Sequence, residues 1–182
     1  QGIFRIFQHQ ALVPNISVAA NIYLTQEKYF TKFGRINSKA MEESTQKIFD
    51  ELNVEHIDPA KLVSDYSFAE RQVIEIVRSL AQAELLGIKN PVILHDEPTS
   101  ALSQDHIDFF FSFVNRIKNR SAQIFVSHRL LEVLELCDNL VVLKDGQVVK
   151  AMPNSKDLKE EDLHLLMVGR QVDLLRDKEL KT

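Results

Sequence analysis

The segment Pro91–Ser103, with the sequence PVILHDEPTSALS, decides how the chain folds. Its apolar run Val92–Leu94 predicts a strand that is buried on both faces, as in a parallel sheet. Two carboxylates, Asp96 and Glu97, follow this run, and Pro98 ends the strand pairing. Neighbouring strand residues point in opposite directions, so one carboxylate can hold a hydrated Mg²⁺ while the other orients a water molecule. The alternative is a strand end with two solvated acids and a turn.

The composition of the chain excludes several functional classes. The 182 residues are 45% hydrophobic and 26% charged, and the net charge of −4 offers no basic surface, so we expect no nucleic-acid partner. A single cysteine, Cys137, precludes an intrachain disulfide and fits a reducing compartment. No apolar run approaches the roughly 18 residues of a membrane span. The chain starts within a predicted strand and without Met, so we expect a piece of a longer protein.

A second strand is predicted to lie beside the first. Apolar residues at helical spacing follow Ser103, and Ile124–Val126 then predicts a second buried strand, which ends at Ser127 and His128. A strand, a helix and a further strand form a crossover whose two strands are parallel. We therefore expect Ser127 and His128 at the same sheet edge as Asp96-Glu97.

Local signals predict further elements. Ser67 and Glu70 form a capping box before a helix that runs to about Leu86, and Ser38 is predicted to cap a helix over Lys39–Asn53. The remaining expected elements are a strand at Ile3–Phe7, a short helix at Val18–Leu24, a hairpin turn at Asp145-Gly146 and a last helix at Glu160–Val168.

Five motifs, taken in chain order, resemble the nucleotide-binding domain of an ABC ATPase. They are Gln8 (the Q-loop glutamine), Tyr66–Gln72 (the signature), Val92–Ser103 (Walker B, catalytic glutamate and D-loop), FVSHRLLEV (the switch-histidine region) and VLKDGQVV (the following hairpin). Within that family the chain resembles the first cassette of ribose/xylose-type monosaccharide importers, which share VPNISVAANIYL and the MVGR at Met167–Arg170.

The resemblance implies an α/β fold: a partial P-loop NTPase (RecA-like) parallel sheet core with an inserted ABC helical subdomain. The cassette would cover residues 1–170, with the helical subdomain at about residues 12–90, and residues 171–182 would start a linker.

The resemblance also implies catalytic roles for four residues. Asp96 would hold Mg²⁺, and Gln8 would sense Mg²⁺ and nucleotide. Glu97 would polarise the attacking water, and His128 would contact the γ-phosphate of ATP. Phosphoryl transfer depends mainly on such positioning and charge neutralisation. Taken alone, His128 is more often a structural histidine and Gln8 a solvated loop residue.

The signature helix is predicted to face a phosphate group. A helix N-terminus presents free N–H groups and partial positive charge to an anion. In ABC dimers this helix faces the γ-phosphate that the opposite cassette holds. The resemblance therefore implies the nucleotide-binding residues Ser67, Phe68, Ala69 and Glu70, with Ser100 of the D-loop.

The partners and location also follow from the resemblance. They are a second cassette in a dimer or tandem, transmembrane permease subunits that contact Ala11–Phe30, and indirectly a sugar-binding protein. The protein would lie peripherally on the cytoplasmic face of the membrane. Two alternatives are a non-catalytic regulatory cassette and a soluble ABC ATPase of the DNA-repair or chromosome type. The second would need coiled coils and basic patches, which are not visible in the sequence.

The sequence departs from the family pattern in three places. None of its five glycines starts the Walker A motif G-x-x-x-x-G-K, which in the family precedes the Q-loop, so we expect this chain alone to bind ATP weakly or not at all. Phe68 and Ala69 replace the two signature glycines, and Glu70 adds a negative charge, which leaves open whether one site hydrolyses slowly. His95 stands where an apolar residue is commoner.

Overall fold

A computed structural model of the chain describes residues 2–7 and 11–168. The chain folds into two compact units, residues 1–126 and residues 127–182. Gln8, the predicted linker at 171–182 and the last two residues of the MVGR motif lie outside the described residues.

The first unit combines a three-stranded parallel sheet with helices. Its elements are β1 (Ile3–Ile6), α1 (Val18–Ile22), β2 (Thr31–Lys32), β3 (Arg35–Ile36), α2 (Ser38–Leu52), α3 (Phe68–Leu85), β4 (Val92–Asp96), α4 (Gln104–Ile117) and β5 (Ala122–Val126). The strand order is β1-β4-β5, and both pairs are parallel. The predicted crossover of two parallel strands through a helix is therefore confirmed.

The two faces of this sheet differ in exposure. On one face, Ile6, Ile93 and His95 are buried, and α3 and α4 supply helical contacts to this side. On the other face, Ile124 and Val126 are 52% and 49% exposed. The prediction that Ile124–Val126 is a buried strand is therefore wrong, because only one face of β5 is covered among the described residues.

Strand β4 is longer than its apolar run. It extends through His95 to Asp96, and all five of its residues pair with β5. Glu97 lies beyond the strand in the left-handed region, with φ of +48°. The expectation that both carboxylates lie on the strand is wrong, because β4 ends at Asp96 and Glu97 does not have strand geometry.

The helix caps follow local chemistry, with one correction. Ser67 and Glu70 form the predicted capping box of α3, and Gly87 follows the helix end with φ of +69°. Helix α2 starts at Ser38, and its cap is Asn37, whose Oδ1 accepts from the Ala40 N–H at 3.1 Å. Ser38 is therefore not the cap. Asn37 precedes it, and asparagine is as good a capping residue as serine, so both positions were possible caps from the sequence alone.

The helices α1, α2 and α3 pack on one another around large side chains. Ile22 and Phe49 are fully buried, and the Tyr23 ring lies 4.4 Å from the Phe30 ring. The Tyr23 hydroxyl forms a 2.8 Å hydrogen bond with the Ser44 hydroxyl. Each fully buried side chain of this kind contributes about 1.5–3 kcal/mol, so tertiary packing holds the five-residue helix α1 in place.

The second unit is a hairpin packed with two helices. Its elements are α5 (Leu130–Leu136), β6 (Asn139–Lys144), β7 (Gln147–Pro153) and α6 (Glu160–Val168). Asp145 and Gly146 have φ of +50° and +75°, which confirms the predicted hairpin turn. Cys137 packs at the edge of the core of this unit. Within the residues described, no helix combines the length and apolarity needed to cross a bilayer.

Candidate active site at the carboxyl edge of the sheet

Asp96 ends β4 with its side chain 33% exposed. Its Oδ2 lies 2.6 Å from Nη2 of Arg5, which projects from the adjacent strand β1. Arg5 is itself 50% exposed, and an exposed ion pair of this kind contributes at most about 1 kcal/mol. The pair can therefore open when another cation reaches the carboxylate. Arg5 was not predicted, because its contact with Asp96 depends on strand register.

Glu97 is fixed by its backbone in a conformation that is uncommon for a residue with a side chain. Its N–H donates to the Val126 carbonyl at 2.9 Å, and its own carbonyl accepts from the Ser100 N–H at 3.3 Å. The left-handed conformation is unfavourable by roughly 1–2 kcal/mol for such a residue. Backbone strain of this kind clusters at functional sites, so it supports a role for Glu97.

The turn after Glu97 is joined to the signature helix. The Gln72 side chain donates a hydrogen bond from Nε2 to the Pro98 carbonyl. Gln72 and Thr99 are both buried, whereas Ser100 is exposed. Gln72 ends the signature segment but was not predicted as a site residue. The sequence signal that could have indicated Gln72 is its amide side chain, which lies among the apolar residues on the buried face of the helix.

The start of α3 is built as the capping box requires. The Ser67 Oγ accepts from the Glu70 N–H at 3.3 Å, and Glu70 Oε2 accepts from the Ser67 N–H at 2.8 Å. The Glu70 carboxylate therefore lies against the backbone at the start of its own helix. Ala69 is fully buried and Phe68 is partly buried, so neither side chain stands free at the helix start.

Two further predicted site residues, His128 and Gln8, do not belong to the described part of the first unit. His128 follows β5 in the sequence and belongs to the second unit, where its side chain is exposed. Its neighbour Ser127 accepts a 3.0 Å hydrogen bond at Oγ from the Arg129 N–H. Gln8 lies outside the described residues.

Helix α3 also holds the loop that follows the Q-loop position. Buried Glu75 accepts from the Ala11 N–H at 2.6 Å, and Arg78 donates to the Ala11 carbonyl at 3.2 Å. Buried Asn21 accepts from the Val13 N–H at 2.7 Å and donates to the Val13 carbonyl at 2.9 Å. Burial raises the pKa of Glu75, while the Ala11 hydrogen bond and the charge of Arg78 lower it. We call these five residues the loop clamp.

The clamp predicts a local effect in the Glu75→Ala variant. The Ala11 amide loses its acceptor, and a hydrogen bond to a charged group contributes about 1.5–3 kcal/mol. We therefore expect amide exchange at Ala11 to become at least about tenfold faster. Exchange at Val13 should stay slow, because Asn21 holds that amide. Hydrogen exchange followed by NMR measures both, with exposed Glu84→Ala on the same helix as control. Unchanged exchange at Ala11 would contradict the clamp.

Comparison with known proteins finds relatives of the chain among sugar import ATP-binding proteins. No protein-family model matches the chain. It is 35% identical over 173 residues to a ribose import ATP-binding protein, RbsA 1, of Rubrobacter xylanophilus, covering 94% of this chain. It is 38% identical over 172 residues to the arabinose import ATP-binding protein AraG of Rhizobium etli, also covering 94% of this chain. Along nearly its whole length the chain is thus similar to sugar import ATP-binding proteins. It spans about a third of the length of these relatives, 32% in each case.

Solved structures agree with the fold of this cassette. A nucleotide-free ATP-binding cassette from an ABC transporter superposes with a TM-score of 0.64 at 21% identity, over 94% of this chain and 67% of that one. CbiO1 of Clostridium perfringens, part of the ABC transporter complex CbiONQ, gives a TM-score of 0.66 at 18% identity, over 96% and 67%. The predicted fold class is confirmed. The roles of the individual site residues remain predictions.

Proposed function

We propose that this cassette is part of an ATP-hydrolysing subunit that energises the import of simple sugars. The observation that carries the proposal is the match to ribose and arabinose import ATP-binding proteins along 94% of the chain. The pair Asp96 and Glu97 at the carboxyl edge of a parallel sheet supports a hydrolytic role, because ligands of open α/β sheets bind at that edge.

Magnesium fits the chemistry of this edge. Among the described residues, no group of three or more His, Cys, Asp or Glu side chains is placed so that it could hold a metal ion. Mg²⁺ needs no such group, because it keeps several waters and takes one or two carboxylates together with substrate phosphates. Asp96 would hold the hydrated ion, with Gln8 as a second ligand, and Arg5 would release the carboxylate on binding. The bound ion would neutralise charge on the phosphates.

Glu97 would orient the attacking water and accept its proton. The backbone bond to Val126 holds Glu97 in its left-handed conformation, so its carboxylate is positioned before the substrate arrives. His128 would contact the γ-phosphate and help to position the same water. Gln72 would act as a positioning residue, because it links the turn after Glu97 to the signature helix.

The start of α3 would meet the phosphate that a second cassette holds. Backbone N–H groups and the Ser67 hydroxyl would donate to phosphate oxygens, as helix N-termini do for anions. Glu70 is compatible with this role, because its carboxylate bonds to the Ser67 N–H. Phe68 and Ala69 would line the site, and Ser100 would contribute from the D-loop.

The proposed assembly contains two cassettes, transmembrane permease subunits and, indirectly, a sugar-binding protein. The loop clamp supports a permease contact near Ala11–Phe30, because it fixes the start of that segment on the signature helix. The subunit would lie peripherally on the cytoplasmic face of the membrane. Deletion of the permease should move the complete gene product from the membrane fraction to the soluble fraction. Retention on the membrane would contradict this assignment.

A non-catalytic regulatory cassette is the second candidate. The observation that favours it is the replacement of both signature glycines by Phe68 and Ala69. The presence of Glu97 and His128 favours catalysis, because a regulatory half has no need of a water-positioning pair. A loss of ATP hydrolysis in a Glu97→Gln variant would favour the catalytic cassette, and an unchanged rate would favour the regulatory one.

The 182-residue chain should bind ATP weakly or not at all when it is tested alone. It has no G-x-x-x-x-G-K segment, and thus no glycine-rich nest and lysine for the β- and γ-phosphates. Titration with a fluorescent ATP analogue should show no saturation in the micromolar range. A relative that includes a Walker A motif serves as the positive control. Saturable micromolar binding would contradict the prediction.

A further inference from the structure

The hairpin formed by β2 and β3 carries an unusual tip. Thr31 pairs with Ile36 and Lys32 with Arg35, so the turn consists of Phe33 and Gly34. Their φ values are +51° and +74°, which is the pattern of a type I′ turn. Asn, Asp and Gly are preferred in such turns, and a bulky residue with positive φ is an outlier. Phe33 therefore occupies a position that its own conformational preference disfavours.

The fold does not bury the Phe33 side chain. It is 94% exposed, whereas Phe49, Phe110, Phe111 and Phe113 are buried in the core. Tyr29 and Ile36 are 47% and 55% exposed beside it. A residue that is both conformationally disfavoured and exposed points to a function outside the folded chain.

Basic residues lie in and beside the hairpin that carries this ring. Lys32 Nζ lies 5.8 Å from the centre of the Phe33 ring, and Lys28 Nζ lies 5.0 Å from the centre of the Tyr29 ring. Arg35 stands opposite Lys32 in the hairpin. The segment from Lys28 to Arg35 contains no acidic residue, although the whole chain has a net charge of −4. The tip is thus a positive, aromatic projection on an acidic protein.

We propose that the hairpin tip inserts Phe33 into the headgroup region of an anionic lipid bilayer, with Lys28, Lys32 and Arg35 at the phosphates. Aromatic rings favour the membrane interface, and basic residues are attracted to anionic lipids. A protein partner fits less well, because one projecting ring with two partly exposed neighbours is smaller than a typical protein interface core. This proposal does not depend on ATP hydrolysis.

The chain offers a direct probe of this insertion. It contains no tryptophan, so Phe33→Trp introduces a single fluorophore at the tip. Addition of phosphatidylglycerol vesicles should shift its emission to shorter wavelength, and brominated acyl chains should quench it. Phosphatidylcholine vesicles should have a much smaller effect. Leu131→Trp is the matched control, because Leu131 is 64% exposed in the second unit and should not respond.

Charge reversal tests the electrostatic part. Lys28→Glu with Lys32→Glu, in the Phe33→Trp background, should weaken vesicle binding at least about tenfold, since each basic residue near an anionic surface contributes about fivefold. Circular dichroism verifies that each variant is folded. A Phe33→Asn variant, whose asparagine suits the turn, should also lose binding to the vesicles in a flotation assay. Absence of a fluorescence response in Phe33→Trp, or an equal response to both lipids, would overturn the proposal. A response only to permease in neutral nanodiscs would overturn it in favour of a protein contact.

Discussion

Replacing Glu97 by Gln in the complete gene product, assembled with its permease, should lower ATP hydrolysis by about 10²- to 10⁴-fold. That range is the usual contribution of a positioned general base. The amide keeps the size of the side chain but accepts a proton poorly, so the attacking water loses its activation. ATP binding should be retained, because the phosphates are held by other groups. Phosphate release and nucleotide binding measured on the same preparation separate these two effects.

The exposed Glu84→Gln variant is the matched control for Glu97→Gln, and it should leave the rate unchanged. Glu97 also has left-handed backbone geometry, so the folded fraction of each variant is compared by circular dichroism. An unchanged rate in a folded Glu97→Gln protein would refute the catalytic role. It would also favour the regulatory cassette.

Stability of the chain should fall as the pH is lowered from 6.5 to 4, and His95 should account for about 3 kcal/mol of this loss. Burial lowers the pKa of His95 from its ordinary value of 6.5 to about 4. The unfolded chain therefore binds a proton in this window that the folded chain excludes. Each pH unit changes the free energy of unfolding by about 1.4 kcal/mol, and the effect levels off below about pH 4.

The surroundings of His95 explain this shift. The ring is fully buried, stacks on Phe125 at 4.3 Å and meets the edge of Phe110. Its Nε2 donates to Oε1 of Gln123 at 3.0 Å, since the Gln123 amide nitrogen already donates to the Val114 carbonyl. Nδ1 has no hydrogen-bond partner among the described residues. Protonation would place a second N–H and a charge where no acceptor is available.

Urea unfolding at several pH values tests this prediction. Between pH 6.5 and 4, the His95→Leu variant should lose about 3 kcal/mol less unfolding free energy than the wild type. This difference does not depend on how stable the variant is at pH 7. The exposed His56→Gln variant should keep the slope of the wild type. Equal slopes in His95→Leu and wild type would contradict the account, as would an NMR titration of His95 near its ordinary pKa.

The sequence predicted those features that depend on neighbours along the chain. The capping box at Ser67, the turn at Asp145-Gly146 and the helix at Glu160–Val168 each follow from local chemistry, and all three are present. The parallel pairing of β4 and β5 was also predictable, because a crossover of this length restricts handedness and direction. Ser38 was predicted as the cap of α2 instead of Asn37 because two capping residues are adjacent in the sequence.

Features that depend on distant parts of the chain were not predictable. The Arg5–Asp96 pair needs strand register, and the Gln72–Pro98 bond needs the packing of α3 on the turn. Glu75 resembles any surface acid until the buried stripe of its helix is known. The left-handed geometry of Glu97 depends on its bond to β5, which no local pattern indicates.

The most direct test of the proposed function is ATP hydrolysis by the complete gene product in proteoliposomes with its permease and sugar-binding protein. A panel of monosaccharides is added to the side that carries the binding protein. We expect one or a few monosaccharides to stimulate hydrolysis and to accumulate on the opposite side, with both effects absent in Glu97→Gln. Hydrolysis that no sugar stimulates, or uptake that persists in Glu97→Gln, would contradict the account.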